Sequence, residues 1–349
     1  MFVGRWGVVA IGVAGTFAFV SCSTFDGEDS SDDLPDGGDA AIEPVDGSSL
    51  TDALADADGG PVPCTTTPPA AEVIPTGGGP ATLLANDGSY LYWVSGAAIR
   101  RRALDGASES ETVYAGTIPV SAFAVISGWV VFATDSTYYV PSNRAADAGP
   151  TTLSGPVRAV SSHEGVIVGH NVPYVHRFVP PTVAATAFVA TTDSAPVSDT
   201  SANASNIFYV STAGDAGPGR AVFAVVNSAA LYQTPTRIFY AAGRDPARIA
   251  VDGQDLFMLD ALGEAVVKVP ITGGAETVLA TGLPNLGLGL GRIVVRSNQV
   301  YFSTPDAVRR VAKAGGCTTT LATGALSDFT VTADHLYFSK ADAIARVPR

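Results

Sequence analysis

The chain has 349 residues, of which 15% are charged and 46% apolar, with 37 glycines and 23 prolines. That balance suits a turn-rich all-β protein of one large domain plus appendages and argues against a helical one. The formal charge of −13 is unevenly placed: residues 23–60 hold twelve acids and no Lys or Arg, while residues 61–349 hold 21 acids against 19 bases. The acidity therefore belongs to a solvated tail, and the nearly neutral remainder offers no basic stripe for nucleic acid.

Residues 1–21 read as an address. Met1 to Arg5 carries one positive charge, and Val8 to Val20 is an apolar run of signal-peptide length, short for a membrane span. The run ends in Phe19-Val20-Ser21-Cys22. This resembles the lipobox of bacterial lipoproteins, in which a small residue precedes the cysteine that receives diacylglycerol. The departure is Phe19, where that family usually has Leu. The resemblance implies lipidation at Cys22, since several acyl chains anchor stably where one does not. It also implies a cell-envelope location, and Ser23 after the cysteine is compatible with outer-membrane sorting. The other reading is an ordinary signal peptide cut nearby.

Residues 22–63 follow as a tether rich in Ser, Asp, Gly and Ala, with little to bury. As a flexible coil of about 40 residues it reaches roughly 35 Å, and further because like charges repel.

From residue 64 onward one phrase recurs. It is an apolar triplet a few positions after a turn residue: Leu91-Tyr92-Trp93, Val130-Val131-Phe132, Val166-Ile167-Val168, Ile207-Phe208-Tyr209, Leu256-Phe257-Met258, Val300-Tyr301-Phe302 and Leu336-Tyr337-Phe338. Successive middle residues lie 39, 36, 41, 49, 44 and 36 apart. A period of about 40 residues built from short strands marks a β-propeller, here with seven blades over residues 64–349. The fifth unit shows the pattern in full. Arg248 to Val251 is a strand, Asp252-Gly253 a hairpin turn, and Asp255 to Leu259, Ala265 to Pro270 and Glu276 to Ala280 are further strands.

The seventh unit supplies three strands, Phe329 to Thr332, His335 to Ser339 and Ala343 to Val347, and then the sequence stops. Ala71-Glu72-Val73-Ile74-Pro75-Thr76-Gly77 resembles the outer strand at Ala275 to Gly282. The expectation is a last blade of three C-terminal strands plus one N-terminal strand near 70–76, since unpaired edges are costly. The alternative is closure by side-chain packing alone. With Cys22 assigned to lipid, Cys64 and Cys317 remain, both near this seam in an oxidising compartment. A Cys64–Cys317 disulfide is expected, the alternative being two free thiols.

The unit of turn residue, Leu/Val-Tyr/Phe-aromatic, Arg-Val-Pro, Gly-Gly and Thr-x-Leu-Ala resembles the blades of YWTD-type and NHL-type propellers, and the repeat arrays of bacterial lipoproteins. It is clearest at Leu91 to Leu104, Leu256 to Gly274, Val300 to Gly316 and Leu336 to Pro348. The resemblance implies a fold and carries little about function.

For chemistry, the face shared by the second-to-third and fourth-to-first strand loops is the natural ligand face. Its candidates are Asp135, His170, Asp215, Asp260, Asp306, Asp328 and Asp342. Carboxylates around a channel mouth can hold Ca2+ or another divalent cation, but Asp also favours turns because it bonds nearby backbone amides. Regucalcin and gluconolactonase propellers hold a channel metal, and no matching motif is placed in this sequence. His163, His170 and His176 cluster in the third unit without a third ligand at one place. No nucleophile elbow, phosphate loop or zinc-spaced cysteine pair occurs. Two readings follow. One is a non-catalytic binding or scaffold module, monomeric and without a cofactor, for a protein, peptide or glycan. The other is an envelope hydrolase, lactonase or lyase using a metal on the acidic face.

Overall fold

The structure is a computed structural model. It describes residues 67–349 except 78, 107, 127, 143–149, 155–156, 158, 164–165, 172–173, 179–185, 191–195, 213–218, 228–233, 284–285, 287–290, 325 and 341–342. The signal peptide, Cys22, the tether, Cys64, Asp215 and Asp342 lie outside the described residues, and of His170 only the backbone is described.

The described chain is all β, with seven four-stranded antiparallel sheets forming a β-propeller. Blade 1 is β2 (Leu84–Asn86), β3 (Tyr90–Ser95), β4 (Ala98–Ala103) and β5 (Glu111–Ala115). Blade 2 is β6 (Ala122–Ile126), β7 (Trp129–Ala133), β8 (Thr137–Pro141) and β9 (Thr151–Ser154). Blade 3 is β10 (Ala159–His163), β11 (Val166–Asn171), β12 (Tyr174–Phe178) and β13 (Thr186–Ala190). Blade 4 is β14 (Asp199–Ala202), β15 (Asn206–Thr212), β16 (Arg220–Val226) and β17 (Thr236–Phe239). Blade 5 is β18 (Pro246–Asp252), β19 (Asp255–Asp260), β20 (Ala265–Pro270) and β21 (Thr277–Ala280). Blade 6 is β22 (Ile293–Arg296), β23 (Gln299–Thr304), β24 (Ala307–Ala312) and β25 (Thr319–Thr323). Blade 7 joins β26 (Leu326–Val331), β27 (His335–Lys340) and β28 (Ala343–Pro348) to β1 (Glu72–Ile74) from the far end of the domain.

The repeated triplets are the second strands. Each blade is covered on both faces by neighbours, so these strands read as continuous apolar runs without alternation. Tyr92, Trp93, Phe132, Phe208, Phe257, Tyr301 and Phe302 have no exposed surface. The core is correspondingly divided into seven apolar clusters, one between each adjacent pair of blades. Tight hairpins join the first and second strands. At Asp252-Gly253 the glycine has φ 61°, a left-handed conformation that suits a residue without Cβ.

Closure follows the expected three-plus-one pattern. In β1, Glu72 pairs with Arg346, Val73 with Ala345 and Ile74 with Ile344. Buried Ile74 packs with Leu84, Leu91, Trp93, Tyr337 and Ile344 between blades 7 and 1. The Glu72 carboxylate accepts two hydrogen bonds from Arg346, at 2.9 and 3.0 Å. Cys317 lies just before β25, and Cys64, the partner expected for it, lies outside the described residues.

Candidate functional site

The seven first strands surround an axial channel of about 550 Å³. Their register is shared: Leu84, Phe123, Ser161, Thr200, Ile249, Ile293 and Phe329 each pair with the third residue of their blade's triplet. The residues just before them therefore form one tier of the channel wall. These are Leu83, Ala122 and Val160 on blades 1–3, then Asp199, Arg248, Arg292 and Asp328 on blades 4–7. The tier lies where the fourth-to-first loops enter the first strands, on the face that also carries the second-to-third loops. One side of it is apolar and the other charged.

The two aspartates each bridge to the next blade. Asp199 Oδ2 accepts from the Ile249 backbone N–H at 2.7 Å. Asp328 Oδ2 accepts from the Leu84 N–H at 2.7 Å, linking the blade that closes the ring to blade 1. Arg292 Nη1 donates to both Asp328 oxygens, at 3.0 and 2.9 Å, and to the Leu84 carbonyl at 2.8 Å. The Arg292–Asp328 pair thus holds both backbone polar groups of Leu84, as a neighbouring strand would. Asp328 Oδ1 accepts again from the Phe329 N–H at 2.8 Å. Arg248 Nε donates to the Gly291 carbonyl at 2.5 Å.

Asp199 keeps some exposure to the channel yet is enclosed by the ring. Burial pushes its carboxyl up to about 6, against the lowering pull of Arg248, of backbone N–H groups and of Arg292. Among the described residues no arginine hydrogen-bonds to this desolvated acid.

The acids singled out in the sequence take separate roles. Asp260, at the end of β19, has no exposed surface. It accepts from Arg244 Nη1 at 2.8 Å, from the Asp245 N–H at 2.8 Å and from the Leu262 N–H at 3.2 Å. Arg244 also pairs with Glu276, just before β21, and Asp245 pairs with Arg220 of blade 4 at 2.7 Å, so ion pairs tie the segment entering blade 5 to blades 4 and 5. A side chain at Gly263 would collide with Asp260 and Arg244, which explains the glycine there. Asp135 accepts from the Thr134 hydroxyl at 2.8 Å and the Tyr138 hydroxyl at 3.2 Å, and the Thr134 bond foremost holds its carboxyl below the ordinary value. Asp306 is well exposed and accepts from the Thr304 hydroxyl at 2.7 Å.

Among the described residues, Asp328 alone of the acids singled out in the sequence lines the channel. His170 sits opposite Val175 and His176 opposite Gly169, so the two are not a directly opposed pair. Half-buried His176 is held below its ordinary value by burial. Among the described residues no three His, Cys, Asp or Glu side chains converge on a position that could hold a metal ion.

Sequence reasoning passed over Asp199, Arg248 and Arg292. A signal was present: Arg248-Ile249 and Arg292-Ile293 open two first strands alike, and Ser198-Asp199-Thr200-Ser201 parallels Ser327-Asp328-Phe329-Thr330.

Together these features define a closed seven-bladed β-propeller with a half-charged axial channel. No family model matches the sequence, and no curated protein matches it. Solved structures share the fold. The WD40 propeller domain of Doa1 is 15% identical with a TM-score of 0.60, over 81% of this chain and 96% of that one. Virginiamycin B lyase from Staphylococcus aureus is 11% identical with a TM-score of 0.61, over 80% and 99%. YCF48 bound to D1 peptide is 11% identical with a TM-score of 0.58, over 83% and 98%. A lyase and a peptide-binding protein at equal distance show the architecture and leave the function to the site.

Proposed function

We propose that this chain is a membrane-tethered cell-envelope lipoprotein whose propeller is a non-catalytic binding module for a protein, peptide or glycan. The observation that carries this reading is the channel. It opens on the loop-rich face, and its carboxylates, Asp199 and Asp328, are occupied in holding neighbouring blades together. Asp260 is likewise locked in an internal ion pair, so these three acids are engaged in structure. The peptide-bound state of YCF48 shows that a similar propeller can hold a peptide. Lipid on Cys22 would anchor the chain, the acidic tether would hold the domain clear of an anionic surface, and a Cys64–Cys317 bridge would pin the seam.

Two experiments test this. Cys22→Ser is expected to release the full chain from the membrane fraction; retention overturns the tether. A photo-crosslinking residue is placed at exposed Asp306 on the channel face, or at exposed Asp334 in the β26–β27 turn on the opposite face. Adducts in intact cells are expected from position 306 alone, and equal labelling from 334 overturns the assignment of the face.

A further inference from the structure

We infer that the channel mouth is a carboxylate site, with the Arg292 guanidinium taking the acid group of a ligand whose apolar part lies against Leu83, Ala122 and Val160. This deepens the binding-module reading and rests on it. Among the described residues, every hydrogen bond of the Arg292 side chain leaves from Nη1, toward Asp328 and Leu84. Its Nε and Nη2 donors are left to solvent, on a side chain that is 36% exposed and lines the channel. Those two nitrogens form the side-on fork that matches a planar carboxylate with two parallel hydrogen bonds. The ion pair with Asp328 fixes the fork before any ligand arrives, so little side-chain entropy is lost on binding.

The neighbouring acids do not compete for this edge. Asp328 bonds to Nη1 and to backbone N–H groups, and Asp199 bonds to the Ile249 N–H. Arg248, at the equivalent position on the preceding blade, adds a second positive charge on the same side of the tier. The opposite side carries no charge at this level, and the channel volume is in the range of small-ligand sites. A group both acidic and apolar fits this division. It arises from a small free carboxylate or from the C-terminal residue of a peptide.

Calorimetry on the full chain near pH 7 tests the assignment with N-acetyl-leucine, with N-acetyl-Ala-Ala-Leu, and with the C-terminal amide of each. The acids are expected to bind about tenfold or more tightly than their amides. Arg292→Gln is expected to erase that preference, with folding checked by circular dichroism. Tighter binding of the tripeptide identifies a peptide C-terminus as the source, and tighter binding of N-acetyl-leucine a free carboxylate. Equal affinity of acid and amide, or no binding of either acid, overturns the proposal and needs no variant to show it. Face-specific crosslinking without acid preference overturns the carboxylate site alone, whereas loss of face specificity overturns the reading beneath it.

Discussion

Asp199 and Asp328 occupy equivalent positions on blades 4 and 7, and each accepts a backbone N–H from the next blade at 2.7 Å. They differ in their cations. Asp328 has Arg292 bonded to both oxygens, whereas Asp199 has Arg248 and Arg292 only as more distant charges, and burial dominates its acidity. Asp328 joins the first strand of blade 7 to that of blade 1, and the chain passes between those two blades only through β1, which is held in blade 7 by its pairing with β28. Asp199 spans a junction between two blades whose four strands follow one another in the chain. The same hydrogen bond therefore sits in a charge-balanced clamp beside the blade that closes the ring, and in a desolvated site at an ordinary junction.

The largest effect is expected from cutting the other closure of the seam. Deleting residues 67–76 removes β1, buried Ile74 and the Glu72–Arg346 pair, and should lower stability by roughly 5 kcal/mol in urea unfolding. Little change would mean that the Arg292–Asp328 latch closes the ring alone. Asp328→Ala comes next. It leaves Leu84 N–H, Phe329 N–H and part of Arg292 without their partner, and should cost about 3 kcal/mol, well above the cost of Asp199→Ala. Equal costs would remove the distinction between the two sites.

The third prediction concerns pH. The folded chain holds the Asp199 proton up to about pH 6, and the unfolded chain only to the ordinary value of 3.8. On acidification the folded state takes the proton first, so this stabilisation is complete below the unfolded value and is lost as pH rises through 6. The amount is on the order of 3 kcal/mol. His176 acts oppositely, since burial lowers its value and the unfolded chain takes that proton first. The measurement is therefore the difference between wild type and Asp199→Asn, an isostere that keeps an acceptor for Ile249. That difference should move in favour of the wild type as pH falls from 7 to 4; parallel curves would show that Asp199 titrates alike in both states. The smallest effect is expected from Glu72→Gln. Its pair with Arg346 is largely exposed on the Glu72 side, and the loss should stay below about 1 kcal/mol in the same assay.

Blade 5 shows how much of the fold was legible. Its first three strands and its hairpin turn fell within a residue or two of β18, β19 and β20, because buried strands flanked by Asp-Gly and Gly-Gly turns are local patterns. The closing strand was legible from a shortage: three strands in the last unit required a fourth, and Glu72–Ile74 matched its composition. The acid-rich loops were legible as positions but not as roles, because Asp135 and Asp306 bond to neighbours in sequence whereas Asp260 depends on Arg244 from another loop.

By itself the sequence determined the period, the number of blades and the way the last one closes, since those depend on apolar runs and turn residues close together along the chain. Only the tertiary structure decided which charges share the channel. Arg292, Asp328 and Leu84 are far apart in sequence, and they meet because the ring brings equivalent positions of separate blades to one height around one axis.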